Sequence, residues 1–510
     1  MTASSSPAPA AASREPPEAA TEPRLATIVL FIVAFALAWA LYFTITTAPL
    51  AIKHDMSEAH SWGREFQLGY NQHPPFWAWV CGLWFEVMPR TDWSFALLGG
   101  LNVAVGLVGV WLLLGRFAQG AERVAGFALL LVTPLYTFTS HNYDANIIFL
   151  SLWPWTLYAF FRSIDGGSIA DSILFGLLAA LAMLSKYYAA ILLLTCFAAA
   201  LLHPRRKAYF TSLAPYGAMA VATIVCAPHI WWLLNNRAPP LRYLAAISGH
   251  SANDTLGFVA RVFSVDNAMT LPVFAVAAIV AGTGPRSWVA SRRCLMSNTD
   301  FRILAVVSLL PLGLTLLSGG LLGTRITPEM TIATFPLLPL LFIRIAGGTD
   351  LARLQRWSLG LAALLTFGAL AAAPVLALNS LRPRNFSSVA PYQEAAAKAT
   401  RLWREKTGTP LTFVAGTEWY DNAIAFYSPD RPHSFVSFDY PGNLWVTPEK
   451  IAEHGLLSVC VEGDRRCHDL TAPFVTPASS VIVEPLTHSF WGYKAAPVGF
   501  IFTVIPPQTK

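Results

Sequence analysis

Apolar residues run through this chain in long unbroken stretches, without the short periods that mark the half-buried helices and strands of a water-soluble protein. The first covers about Leu25 to Ile52. Others follow at about 94–115, 124–140, 145–161, 169–185, 187–202, 209–233, 267–284, 302–318, 329–344 and 357–378. Each is close to the length that crosses ~30 Å of hydrocarbon as a helix. The pattern therefore predicts a polytopic α-helical membrane protein with about 11 (9–13) transmembrane helices. The opening run far exceeds the apolar core of a signal peptide and reads as an uncleaved first span. Ahead of it, residues 1–23 are rich in Ala, Pro, Ser and Glu and read as a disordered cytoplasmic N-terminus. Residues 24–379 form the membrane domain, with exported loops at 53–93 and 234–266. From residue 380 to 510 the pattern changes. PYQEAAAKATRLWREKTG reads as an amphipathic helix and LTFVAG as a strand, and further helices and strands alternate to VGFIFTVI. That alternation predicts a C-terminal soluble α/β domain.

Composition agrees with a lipid-covered molecule. Hydrophobic residues make up 55% of the chain and charged residues only 13%, against ~25% in a soluble domain; the mean hydropathy is +0.49. The net charge of +6 is not a nucleic-acid footprint, because much of it sits in short loops between apolar runs. With the N-terminus in the cytoplasm, the cytoplasmic loops hold thirteen Lys and Arg residues, with compact clusters at 203–207 and 291–294, and the exported loops hold eight. This bias predicts a bacterial inner-membrane protein whose C-terminal domain is periplasmic. Cys81, Cys196, Cys226 and Cys294 lie in or beside apolar segments, where a buried thiol is ordinary. Cys460 and Cys467 are close together in the exported tail, where a disulfide is feasible. No CxxC or Cys/His zinc spacing occurs.

Candidate chemistry concentrates in the first exported loop, His54 to Val80. Asp55 and Glu58 stand three residues apart, so one helical turn puts both carboxylates on one face. Such a pair suits a divalent cation or a proton transfer, and the alternative is a solvated polar loop. The HPPFWAWV that follows suits a re-entrant or interfacial helix. Asp144, in HNYDAN (141–146), is embedded between apolar runs, where an ionisable group is costly; it reads as a functional group, a helix cap, or both. Lys186, in LSKYY, either meets a phosphate or snorkels to the interface. The loop at 234–266 and its border offer His229, Arg237, Arg242, His250 and Arg261 without singling one out, and Arg325 in GTR is a weaker candidate for pairing with a phosphate.

The succession of a first span, an exported Asp/Glu loop running into GYNQHPPFWAW, then YDAN and then LSK is similar to the bacterial members of glycosyltransferase family 39. That family lies in the GT-C superfamily with the protein O-mannosyltransferases and the lipid A aminoarabinose transferase. The resemblance covers roughly residues 25–350. It implies a GT-C type fold and inverting transfer of a sugar from a polyprenyl-phosphate donor at the outer face of the inner membrane. The acceptor it implies is a lipid A or other glycolipid, a polysaccharide or a protein. By the same resemblance Asp55 is the general base, with Glu58 supporting it or helping to hold a divalent metal ion. Asp144 is the second exported acidic position, and Lys186 meets the donor phosphate, joined by Arg325. His73, Pro74 and Pro75 shape the loop under the donor, and Tyr70 and Asn146 fall in the same elements. The family often has adjacent Asp-Glu where this chain has Asp55-Met56-Ser57-Glu58, so either carboxylate remains open as the base.

Two other classes compete. A transporter or flippase for a lipid-linked saccharide usually places ionisable groups near the bilayer midplane in repeated halves. Here the acidic residues gather at one face and no repeat is visible. A non-catalytic membrane scaffold would leave Asp55 and Asp144 without a task.

Overall fold

The computed structural model describes residues 22–247, 297–322, 335–347, 349–417 and 419–508. The candidate span at 267–284, the first part of that at 329–344, His250, Arg261, Cys294 and Arg325 lie outside the described residues, as does nearly all of the 1–23 segment. Among the described residues five helices are long and apolar enough to cross a membrane: Leu25–Thr47, Asp92–Phe117, Ala214–Asn235, Thr299–Gly319 and Leu351–Ser380. The runs at 124–140, 145–161, 169–185 and 187–202 fold as shorter helices, Gly120–Leu131, Phe149–Gly166, Ile169–Met183 and Ala189–Leu202. Apolar runs thus overstate helix length here, for a local reason. After Leu131 the Thr133 hydroxyl bonds back to the Leu130 carbonyl, and Pro134 opens a separate short 3-10 turn, Pro134–Tyr136. Proline has no N–H to continue the ladder. Turns then carry the chain through HNYDAN to Phe149.

Helix Leu25–Thr47 packs on Asp92–Phe117 and on Leu351–Ser380, and Asp92–Phe117 packs on Phe149–Gly166. Phe149–Gly166 packs in turn on Ile169–Met183, which lies against Ala214–Asn235. Between helices Leu25–Thr47 and Asp92–Phe117 the connecting loop folds as two helices, His54–Glu65 and Phe76–Val87. These cross at Gly63 and Gly82. A methyl on Gly63 would collide with the Ala78 carbonyl and the Gly82 backbone, and a methyl on Gly82 would collide with the Gly63 carbonyl. Only hydrogen at both positions lets the backbones approach this closely.

The C-terminal sheet domain has strands β1 Phe413–Gly416, β2 His433–Val436, β3 Leu456–Val461, β4 Ser480–Leu486, β5 Ser489–Phe490, β6 Tyr493–Lys494 and β7 Val498–Ile505. Its main sheet runs β2-β1-β3-β7-β4; β1 is parallel to β2 and β3, and β7 is antiparallel to β3 and β4. Helices Tyr392–Thr407 and Tyr420–Tyr427 pack against the sheet. Cys460 and Cys467 form a disulfide that joins β3 to the helix Arg465–Thr471.

This domain rests on the loop between helices Leu25–Thr47 and Asp92–Phe117. The Tyr427 hydroxyl donates to Asp92 Oδ1 at 2.7 Å and accepts from the Ile52 amide at 3.2 Å. Arg90 donates to the Phe426 and Ser428 carbonyls at 2.9 and 3.1 Å, and so caps the end of helix Tyr420–Tyr427 with a cation.

Candidate active site

Helix His54–Glu65 begins at an extended Lys53, carries Asp55 in its first turn, and ends at Phe66 in the left-handed conformation. A carboxylate in the first turn complements the helix dipole. Residues Met56 to Gly63 are all buried, pressed between helix Phe76–Val87 and helix Tyr420–Tyr427 of the C-terminal domain. His60 lies edge-on to Phe85 and Phe426, with ring centroids 5.5 and 5.1 Å away. Burial, aided by Arg90, Arg64 and Arg431, lowers its pKa to about 3, so it packs as a neutral ring.

Asp55 and Glu58 open into one polar cavity of about 280 Å³, shared with His54, Gln72, His73, Trp77, Asp144, Ala145, Asn146 and Tyr243. Asp55 is exposed, whereas Glu58 and Asp144 are buried. Three hydrogen bonds join the separate sequence elements beside the cavity. The Phe76 amide donates to the Leu184 carbonyl at 2.8 Å, the Tyr143 hydroxyl to the Trp77 carbonyl at 3.0 Å, and Lys186 Nζ to Asn146 Oδ1 at 2.6 Å. HPPFW, YDAN and LSK, which the sequence separates widely, are thereby held side by side.

Electrostatics follow from that assembly. Asp144 Oδ1 accepts from the Asn146 and Ile147 amides at 2.6 and 2.8 Å, the Asp turn that starts the approach to helix Phe149–Gly166. Burial nevertheless pushes the Asp144 carboxyl up to about 6. The Ile147 amide opposes the shift, Asp55 adds to it by like-charge repulsion, and Lys186 opposes it. Burial also lowers the His73 pKa to about 3, with Lys186 acting in the same direction, so His73 is neutral. The cavity therefore holds acceptors and carboxylates, with the Lys186 cation bound to Asn146 of its lining. It can remove a proton and bind an anion.

Of the residues singled out in the sequence, Asp55, Glu58, His73, Asp144 and Asn146 line the cavity, and Lys186 reaches it through Asn146. Tyr70 does not line it. The Tyr70 side chain is buried, its ring stacks on Trp62 at 4.9 Å, and its hydroxyl donates to the Trp62 carbonyl at 2.5 Å, holding the loop behind the site. Pro74 and Pro75 lead into helix Phe76–Val87, with Pro75 as its cap residue. His229 is a structural tie: its ring nitrogens meet the Leu68 carbonyl at 2.6 Å and the Tyr187 hydroxyl at 2.8 Å. Arg237 and Arg242 are exposed and do not line the cavity. Among the described residues no group of three His, Cys, Asp or Glu side chains could hold a metal ion.

Sequence reasoning passed over His54, Gln72, Trp77 and Tyr243. Trp77 Nε1 and His54 Nδ1 are buried without a hydrogen-bond partner among the described residues, and buried polar atoms of this kind ordinarily have one. The His54 ring also stacks on Trp419 of the C-terminal domain, 5.2 Å between centroids. Tyr243 sits next to Arg242 on helix Pro239–Ile247, and its aromatic ring was the available signal.

Comparison with known proteins points in one direction. A family profile described as dolichyl-phosphate-mannose-protein mannosyltransferase matches residues 72–232, which hold the HPPFW, YDAN and LSK elements. The lipopolysaccharide core galacturonosyltransferase RgtA of Rhizobium johnstonii is 25% identical over 415 residues, 77% of this chain and 79% of that protein. The lipid A galacturonosyltransferase RgtD of the same organism is 27% identical over 225 residues, 41% of this chain and 46% of that protein. Among solved structures, ArnT from Cupriavidus metallidurans bound to undecaprenyl phosphate superposes with a TM-score of 0.59 at 14% identity. That superposition covers 93% of this chain and 98% of ArnT, so the two share a fold.

Proposed function

We propose that the chain is a membrane glycosyltransferase of the GT-C type, which moves a sugar from a polyprenyl-phosphate carrier to a hydroxyl acceptor at the exported face, with inversion; the family profile, the galacturonosyltransferase relatives and the fold shared with ArnT support this reading. The observation that carries this reading is the single cavity in which Asp55, Glu58, His73 and Asp144 meet beside Lys186. Asp55, exposed at the cavity, takes the proton from the acceptor hydroxyl. The acceptor oxygen then attacks the anomeric carbon from the face opposite the phosphate. The bond from that carbon to the phosphate oxygen breaks, and its electron pair leaves with the polyprenyl phosphate. Lys186 stabilises the charge that develops there, in a site where water is largely replaced by fixed groups. Glu58 is buried and less able to meet an incoming acceptor, so it serves as the supporting carboxylate. Asp144, ionised above about pH 6, balances Lys186.

The carrier is supported by the undecaprenyl phosphate bound to ArnT, and a cell-envelope glycolipid acceptor by the names of RgtA and RgtD. A periplasmic site is supported by the thirteen-to-eight bias of basic residues. The Cys460–Cys467 disulfide suits an oxidising compartment. The test supplies membranes containing the chain with a polyprenyl-phosphate sugar labelled in the sugar. Label should pass to a glycolipid, polysaccharide or protein fraction, and a nucleotide sugar should give none when carrier loading is blocked. Transfer from the nucleotide sugar under that block would contradict the donor. Movement of the intact carrier across the bilayer without transfer would favour a flippase.

A further inference from the structure

The C-terminal domain carries a short hairpin with an unusual tip. β5 and β6 pair Ser489 with Lys494 and Phe490 with Tyr493, leaving Trp491 and Gly492 as a two-residue turn. Both have positive φ, 48° and 85°. Such a turn favours Asn or Gly at its first position, and a large aromatic there is disfavoured. Trp491 is nevertheless 79% exposed and Tyr493 50% exposed. Trp491 stacks on Phe490, 5.1 Å between centroids, yet among the described residues nothing in the domain's core explains two aromatic rings held outward.

The position of the hairpin does. His488, at its base, places its two ring nitrogens against the Glu394 carboxylate at 2.9 Å and the Pro49 carbonyl at 3.2 Å. Pro49 lies just beyond Thr47, where the first span ends. On its other side, Phe490 and Ala495 pack with Leu381 and Phe386, and the Ala496 amide donates to the Ser387 carbonyl at 3.3 Å. Leu381 directly follows Ser380, where the span Leu351–Ser380 ends. The hairpin is thus pinned at the level at which two spans leave the bilayer. Arg382, Arg384 and Lys494 are exposed around it, with no carboxylate in the tip.

We propose that the Phe490–Lys494 hairpin is a membrane-surface anchor, in which Trp491 and Tyr493 enter the interfacial zone of the bilayer and Arg382, Arg384 and Lys494 meet anionic phospholipid headgroups. Indole and phenol rings prefer that zone because one end is apolar and the other polar. Basic side chains beside it gain from the negative surface of an anionic leaflet. The anchor holds the C-terminal domain flat over the exported loop. It stands whether or not the transfer reaction has been assigned correctly.

The test uses the full chain in nanodiscs of phosphatidylethanolamine and phosphatidylglycerol, with the photoreactive substitution Trp491→benzoylphenylalanine. Irradiation should give phospholipid adducts on the hairpin peptide. The yield should be several-fold above that of the same probe at Lys406, exposed at the far end of the helix that begins beside the hairpin. Lipid adducts no more frequent than at Lys406, or crosslinks to a second copy of the chain, would overturn the proposal. A second measurement needs no probe. Amide exchange over 489–495 should be slower in discs with phosphatidylglycerol than in discs of phosphatidylcholine alone, and Lys494→Gln with Arg382→Gln should shrink that difference. Equal exchange in the two discs would remove the anionic headgroups from the account.

Discussion

Helix His54–Glu65 carries two His, an Asp, two Glu and an Arg in twelve residues, yet Met56 to Gly63 are all buried. Helix Leu351–Ser380 is apolar over most of its thirty residues, yet its buried positions are only Leu354, Ser358, Ala362, Thr366 and Ala373. In water the first helix would be the outer one and the second the core. Lipid reverses the second: Leu364 and Phe367, 67% and 71% exposed, face a solvent that welcomes them. The first is reversed by the C-terminal domain, which covers it with helix Tyr420–Tyr427 and leaves Asp55 as its exposed carboxylate at the cavity. Covering polar groups costs free energy unless each finds a partner. On the proposed function, a polar helix buried in this way is where the fold gives up stability for chemistry.

That contrast can be broken at several strengths. Apart from Asp55, the largest effect is expected at Lys186, whose cation reaches the cavity through Asn146. Lys186→Gln should lower turnover by ~10²–10³-fold, the range found when one donor to a developing oxyanion is removed. The measurement is transfer rate at saturating donor, with insertion checked in parallel. Next comes Gly63→Ala, which keeps the chemistry but forces helices His54–Glu65 and Phe76–Val87 apart. It should cost ~1–3 kcal/mol of stability, read as a lower unfolding temperature of the detergent-solubilised chain. An unchanged transition would mean the crossing yields easily.

A smaller effect is expected from pH. Asp144 titrates near 6, raised by burial, so its charged form is lost as pH falls. If the anion is the working form, turnover should be roughly tenfold lower at pH 5 than at pH 7, following the ionised fraction. In Asp144→Asn that slope should flatten, and an unchanged slope would assign the titration to another group. The smallest effect belongs to the lipid-facing helix, where Phe367→Ala should change stability by less than ~0.5 kcal/mol in a bilayer. A large loss there would show that the face is covered by protein.

Much of this was legible in the residues. Five of the unbroken apolar runs coincide with helices long and apolar enough to cross a membrane, and the helix–strand alternation after residue 390 matches helix Tyr392–Thr407 and the strands that follow. Asp55, Glu58, His73, Asp144 and Asn146 stood out as ionisable or polar groups beside apolar runs, and one cavity gathers them. Other features depend on contacts that no local pattern records. The length of the helix before Pro134 was hidden inside a continuous apolar run, because Val132, Leu135 and Tyr136 are as apolar as the helix itself. The burial of helix His54–Glu65 could not be read from its polar sequence, since its cover comes from Tyr420–Tyr427, far along the chain. The stacking of His54 on Trp419 and the presence of Tyr243 at the cavity are equally remote. Tyr70 and His229 stood in the right stretches, and the structure gives both to support instead of the cavity wall.

The most direct test of the central claim compares wild type with Asp55→Asn at equal expression, in membranes supplied with a labelled polyprenyl-phosphate sugar. Asparagine keeps the shape and removes the base. The account predicts a loss of transfer of ~10²–10⁴-fold, the usual worth of a positioned general base, with insertion and unfolding temperature unchanged. Full transfer in Asp55→Asn would contradict the assignment and pass the role of base to Glu58.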